Sequence, residues 1–425
     1  MQSNRHFSIN FAWLLGSESI VRISRLVTAV LIARYVGIAE LGIAAMAMAT
    51  YELTRVLANN GFGLKIIRAG DGDVDALSNT VYLLNWLWAA ALFVLQLPVA
   101  WLAAKAFGQV DIVPMFLLLA AGNLMIPLSL VHVFRLQRDQ RLKEQAIIDS
   151  SQVIADNVLT AVLAVAGFGA WAIVLPKLLV LPVWVFCYRR CEDWCFNPAA
   201  GFVSLRNVFS DTRAVLTSES ARAVKNHADV LILGRFVSPE LLGLYYFAKN
   251  NGLGISLALI QAAANAALPR LAEIRRKLTG DAFRSSATGV FRLAALVVLP
   301  VIGLQALAAP WYVPVVFGEQ WLPAVPVLIL LCLSAMPRIF GDLSTQLLRA
   351  NNRSDLESRL NVLSTPVFLA AVVCGACFGL LWSALAICVF QWIYHGTLAC
   401  VAYRRIIQKE SSRGPKRLEV TEDFS

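Results

Sequence analysis

The sequence has 425 residues, 58 % of them apolar and only 15 % charged, with a mean hydropathy of +0.65. This composition excludes an ordinary soluble domain, which exposes far more charge, and a disordered chain, which could not carry 22 Phe and 11 Trp. In a bilayer protein a formal charge of +10 is first a question of membrane side, and only then of an acidic or nucleic-acid partner.

A hydrocarbon core of about 30 Å needs about 20 helical residues. Twelve apolar windows of that kind follow one another: 9–32, 41–62, 80–101, 113–133, 147–167, 170–188, 214–233, 241–267, 286–308, 323–347, 360–379 and 381–402. Gly167 and Gly169 divide the fifth from the sixth, and Gly379 divides the last two. The first window carries Glu18, Arg22 and Arg25, which a cleavable leader would not, and the eight Cys lack a disulfide-framework spacing. With the N-terminus inside, the inner segments and both termini hold 25 Lys and Arg, and the outer gaps hold three, Arg34, Lys105 and Arg235. That asymmetry places both termini in the cytoplasm. No outer gap exceeds 14 residues, which leaves no room there for a catalytic domain.

The two halves repeat. With an offset of 201, Leu15, Ser17, Glu18, Ser19, Arg34, Val36, Leu41 and Gly42 match Leu216, Ser218, Glu219, Ser220, Arg235, Val237, Leu242 and Gly243. The expected architecture is therefore all-α and polytopic, with about 12 spans. A six-helix lobe at 1–200 and a second at 201–403 form a parallel repeat, followed by a polar cytoplasmic tail at 404–425. Two such lobes suit alternating access around a central site.

Nine basic residues fall within spans: Arg22, Arg25, Arg55, Lys177, Arg222, Lys225, Lys249, Arg292 and Arg338. Each costs roughly 2.5–3.5 kcal/mol at a helix centre unless it faces protein or a wet cavity. Helical spacing gathers Glu18, Arg22 and Arg25 into one stripe, Glu52, Arg55 and Asn59 into a second, and Glu219, Arg222, Asn226 and Asp229, flanked by Lys225, into a third. A fainter acidic stripe holds Asp149, Gln152, Asp156 and Thr160. Lys249 stands in a polar stretch, Asn250-Asn251-Gly252-Leu253-Gly254, where the helix is expected to kink or unwind. The alternative is purely structural, with Glu18–Arg22, Glu52–Arg55 and Glu219–Arg222 paired locally; Arg338–Asp342 is read as such a pair. An excess of Arg and Lys favours an anion, because guanidinium grips phosphate oxygens bidentately. Arg22, Arg25, Arg55, Arg222, Lys225, Lys249, Asn59 and Asn226 are the candidate binding residues; Glu18, Glu52, Glu219, Asp229 and Asp156 are candidates for ion coupling.

Several segments resemble the polysaccharide transporter family, the Wzx-type flippases of the MOP exporter superfamily. The residues that carry the resemblance are Leu31, Arg34, Gly37, Glu40 and Gly42 in the first half. In the second they are Asp229, Gly234, Arg235, Pro239, Glu240, Gly243, Tyr245 and Ala248, then Leu268-Pro269-Arg270-Leu271, Phe317-Gly-Glu-Gln-Trp-Leu-Pro-Ala324, and Leu348-Arg349-Ala350 with Arg353. The resemblance implies a MATE-like fold and a flippase for an undecaprenyl-diphosphate-linked oligosaccharide in the bacterial inner membrane, serving O-antigen, capsule or exopolysaccharide assembly. It further implies a cationic cavity, membrane lipid around it, and a polysaccharide polymerase and chain-length regulator as candidate partners. No cofactor is expected beyond H⁺ or Na⁺ coupling, and no nucleic acid. Some relatives have fourteen helices; with twelve spans, a lipid-tail groove built from two extra helices is not expected here.

The other motifs have simpler explanations. Asp71, Asp73 and Asp75 alternate like a calcium loop, but Ala76 and Tyr82 stand where Gly and Glu are needed. Cys187, Cys191 and Cys195 have no His nearby. Neither a catalytic constellation nor a metal site is expected. An ion-coupled exporter of drugs or metabolites remains the alternative, disfavoured by the basic stripes; a membrane-embedded polymerase or glycosyltransferase comes third.

Overall fold

The computed structural model describes residues 20–58, 61–70, 72–204, 212–278, 280–351 and 353–408; the side chains of a few helical residues, Arg222 among them, fall outside this set. Every regular element in it is helical. The chain divides into two compact units. One holds the residues up to Leu244 together with Val316–Gly318; the other holds Tyr245–Val315 and everything from Glu319 onward.

In the first unit, α1 covers 20–35 and α2 Ile38–Arg55. The short α3 (Gly63–Arg68) precedes α4 (Val74–Phe107), then α5 (Ile112–Gly122) and α6 (Pro127–Arg138). Next come α7 (Leu142–Val165), α8 (Trp171–Leu179), α9 (Leu181–Cys191) and α10 (Thr212–Phe236). The breaks have local causes. Gly108 ends α4 at φ +67°, and Gly167 and Gly169 turn the chain between α7 and α8 at φ +82° and +55°, values that favour glycine. Pro127 opens α6 after a four-residue turn, so α5 and α6 form one candidate span bent by 50°.

α2 packs against α5 and α10, and α7 against α8 and α9. Between α2 and the start of the next helix, α11 (Pro239–Ala248), the approach is close enough to exclude side chains. A Cβ on Gly42 would lie 1.9 Å from the Pro239 carbonyl oxygen, and one on Gly243 would lie 2.0 Å from that of Ile38. The Arg34 Nε donates to the Val316 carbonyl at 3.0 Å. At the basic end of the unit, Arg135 reaches Asp75 at 2.7 Å and Glu192 at 3.0 Å, and Arg141 reaches Glu192 at 3.2 Å.

The second unit contains the last turn of α11 from Tyr245, a π-helical turn at Lys249–Leu253 and α12 (Gly254–Lys277). It continues with α13 (Gly280–Tyr312), α14 (Val325–Ala335), α15 (Arg338–Ala350), α16 (Ser354–Phe378) and α17 (Leu380–Ala402). α15 is central, touching α12, α13, α16 and α17. Trp321, in the 3-10 turn Glu319–Ala324, is fully buried and stacks on Phe247 at 4.2 Å between ring centroids. Gly379, at φ +109°, separates α16 from α17 as the sequence predicts.

Among the described residues nine helices are long and apolar enough to cross a membrane, or ten with the bent pair. They correspond to ten of the twelve predicted spans. The other two are the most polar: the first begins outside the described residues, and the seventh is α10, whose 25 residues suffice in length but carry Arg213, Glu219, Arg222, Lys225, Asp229 and Arg235. The count of twelve is therefore not established. The predicted lobe boundary at 200/201 also differs from the compact division at 244/245, because α10 packs along α2.

Candidate functional site

The polar stripes of the first unit are the candidate site. On α1, Val21 and Thr28 are buried, and the face is fastened to α7: the Thr28 hydroxyl donates to the Asn157 carbonyl at 3.0 Å, and the Asn157 amide donates to Ser24 Oγ at 2.8 Å. At roughly 100° per residue, Arg25 and Arg22 form one flank of that face, and the exposed Ile23, Leu26 and Val27 form the far side. An apolar far side suits lipid, which leaves the arginine flank for protein or water. Arg22 and Arg25 make no hydrogen bond or ion pair among the described residues, and both are exposed. Glu18 lies outside the described residues.

On α2 the local pairing does form: the Arg55 guanidinium donates to Glu52 Oε2 at 2.8 and 3.1 Å and lies 6.0 Å from the centre of the Tyr51 ring. Arg55 keeps 43 % of its side-chain surface exposed, so it can still meet an anion. Asn59 lies outside the described residues. On α10, Asp229 is buried, Glu219 and Lys225 are half-buried and Asn226 is exposed, each with an interaction partner; the Arg222 side chain is outside the described set. Asp156 is not an isolated carboxylate. It pairs with Lys177 of α8, and Asp149 accepts from Tyr188 at 2.8 Å, so the acidic stripe of α7 is engaged with its neighbours.

The sequence reading missed a buried network beneath the α2 stripe. The Tyr51 hydroxyl donates to Asn123 at 2.9 Å, the Asn123 amide to Gln96 at 3.0 Å, and the Gln96 amide to Thr54 at 2.9 Å. Gln96 and Asn123 are 0 % and 2 % exposed, so the chain of amides fixes the pitch of α2 beneath Glu52 and Arg55. Tyr51 and Thr54 share α2, but Gln96 comes from α4 and Asn123 from the turn after α5, so no short-range spacing betrays the network.

In the second unit the expected irregularity at Lys249 is a π turn. Its loosened carbonyls are bridged by Gln305 of α13, which donates to Asn251 at 2.9 Å and Gly252 at 3.1 Å. Lys249 is half-buried and partnered. Among the described residues there is no group of three or more His, Cys, Asp or Glu that could hold a metal.

The comparisons with known proteins agree with this architecture. The family model described as "Polysaccharide biosynthesis protein" matches residues 31–326. The teichuronic acid biosynthesis protein TuaB of Bacillus subtilis is 26 % identical over 80 % of this chain and 71 % of its own. The lipopolysaccharide biosynthesis protein WzxC of Escherichia coli is 25 % identical over 82 % of this chain and 71 % of its own. Among solved structures, an inward-facing multidrug resistance MATE transporter of the MOP superfamily superposes with a TM-score of 0.75 at 15 % identity, over 92 % of this chain and 96 % of that one. The lipid II flippase MurJ in an inward closed conformation gives 0.73 at 12 % identity, over 94 % and 89 %. The fold is therefore that of the MATE and MOP transporters, and the protein is a multi-pass membrane protein that belongs to the polysaccharide biosynthesis protein family.

Proposed function

We propose that the protein is a flippase that carries an undecaprenyl-diphosphate-linked oligosaccharide from the inner to the outer leaflet of a bacterial inner membrane by alternating access. The observation that carries the reading is the arginine flank of α1. Two guanidinium groups without carboxylate partners among the described residues stand on a membrane helix beside its apolar face, and a diphosphate offsets the cost of keeping them there. Arg55, Arg222 and Lys225 add cationic groups on α2 and α10, and Asn226 adds a polar one. The family membership and the relatives in teichuronic acid and lipopolysaccharide biosynthesis support the substrate class.

With the N- and C-termini in the cytoplasm, each negative charge moving outward gains about 2.3 kcal/mol per 100 mV of inside-negative potential. Return of the empty carrier is coupled to H⁺ or Na⁺ at Glu52, Glu219 or Asp229; the pairing of Asp156 with Lys177 makes it the weakest of the carboxylates for this role. The MATE-like fold alone would also suit a drug antiporter, whose cationic substrates an arginine flank would repel.

Deleting the gene and analysing lipid-linked oligosaccharide tests the proposal. Undelivered repeat units should accumulate on the cytoplasmic side and polymer should vanish from the surface. Normal polymer with heightened drug sensitivity would favour the antiporter.

A further inference from the structure

The second unit carries a groove of about 1070 Å³ that none of the candidate residues above occupies. α13 and α17 each pack on α15, and the trough between them has α15 as its floor. On α13 the lining residues Arg284, Thr288, Arg292, Leu296 and Leu299 recur at helical spacing, so they form one stripe running from the basic end of the helix toward the bilayer centre. The stripe is polar and cationic over its first two turns and apolar beyond. Opposite it, α17 contributes the small residues Gly396, Ala399 and Cys400, and the π-helical turn that follows it, Tyr403–Gln408, contributes Tyr403 and Arg404. Arg284 donates to the Tyr403 hydroxyl at 2.9 Å and closes the trough at its basic end. Arg292 and Arg404 are exposed and make no ion pair among the described residues.

A trough with a cationic head and an apolar body matches an amphiphile with a phosphate head and a long hydrocarbon chain. Arg284 and Arg292 are separated by about 12 Å along the helix, and Arg284 to Pro300 by about 24 Å, most of the hydrocarbon thickness. A diphosphate offers more oxygens and more negative charge to the guanidinium groups that line this head than the single phosphate diester of a phospholipid does. We infer that this groove is a loading site for the polyprenyl diphosphate of the lipid-linked substrate, with Arg284, Arg292 and Arg404 on the phosphates and Leu296, Leu299 and Ala399 along the chain. The inference rests on the flippase reading for the identity of the lipid, but its site lies wholly within the second unit, apart from the arginines of α1.

The test is binding to the purified full chain in detergent, with undecaprenyl diphosphate, phosphatidylglycerol and inorganic pyrophosphate as probes. The double variant R292A/R404A should weaken undecaprenyl diphosphate at least tenfold and leave phosphatidylglycerol unchanged. The variant L296W, at a position 75 % exposed and so harmless to folding, should weaken the lipid and leave pyrophosphate unchanged. Pyrophosphate should bind the wild type at least tenfold more weakly than the lipid. If R292A/R404A does not fold, L296W and R404A decide by the same criteria. Equal losses for phosphatidylglycerol would make the groove a general phospholipid site. Equal affinity for pyrophosphate would make it a phosphate site without a tail, and unchanged lipid binding in both variants would remove it. Any of these in a protein whose deletion still accumulates undelivered oligosaccharide overturns the groove and spares the flippase; normal polymer after deletion overturns the flippase reading, whatever the groove binds.

Discussion

Gly42 and Gly243 make reciprocal contacts: the Cα of Gly42 faces the carbonyl of Pro239, and the Cα of Gly243 faces the carbonyl of Ile38. Both pairs obey the offset of 201 that relates the halves of the sequence, so the repeat meets itself here as a two-fold contact would. A Cβ would fall 1.9–2.0 Å from backbone oxygen, which cannot swing aside.

Ala in place of Gly inside a helix ordinarily gains about 0.5–1 kcal/mol. Here Gly42→Ala and Gly243→Ala should each destabilise by about 1–3 kcal/mol through overpacking, read as a lower Tm in detergent. An unchanged or raised Tm in either variant would show that the backbones are not held this close.

Asp156 and Lys177 make a pair whose roles separate by substitution. Asp156→Asn leaves an ammonium without its carboxylate and should cost about 1–3 kcal/mol, discounted because Lys177 is partly exposed. If the pair is structural, the double variant D156N/K177M recovers both Tm and polymer export. Recovery of Tm with export still lost would instead assign Asp156 to ion coupling.

The Tyr51–Asn123–Gln96–Thr54 chain is satisfied only as a whole. Asn123→Leu or Gln96→Leu strands a buried amide and should lower stability by about 1–3 kcal/mol. Q96L/N123L should cost less than the two single effects added together, because the stranded groups are then removed as a pair. Strict additivity in thermal unfolding would deny the network.

Arg22→Gln and Arg25→Gln remove charges that stabilise nothing visible in the first unit. Tm should hold within a degree or two while polymer export falls sharply, most of all in the double variant. A parallel loss of Tm and export would make the arginines structural.

Much of the architecture is legible in the sequence, because apolar length and positive-φ glycines act locally. Gly167, Gly169 and Gly379 mark breaks that the structure contains, and the polar run at Lys249 is the π turn. Trp321, within the segment that carries the family resemblance, stacks on Phe247. The Glu52–Arg55 pair was legible as an alternative, since three residues of spacing suffice for it. What escaped depends on distant partners: Asp156 with Lys177 across two helices, Gln96 with Asn123, and Gln305 on the π turn. Arg292 has no sequence neighbour that suggests a role; only the fold brings Tyr403 and Arg404 into the same groove. The twelve-span count is not established at α10, because the six charged residues on that helix take it below the apolar threshold for a span.

The central claim is transport of a lipid-linked, diphosphate-bearing oligosaccharide, and reconstitution tests it most directly. Liposomes containing the purified protein and a fluorescent undecaprenyl-diphosphate oligosaccharide, probed with a membrane-impermeant reagent that destroys only outward-facing label, should lose nearly all of their signal. Protein-free liposomes, and those with R22Q/R25Q, should keep about half. A wild-type signal that stays at one half, with the protein folded and inserted, would contradict the account.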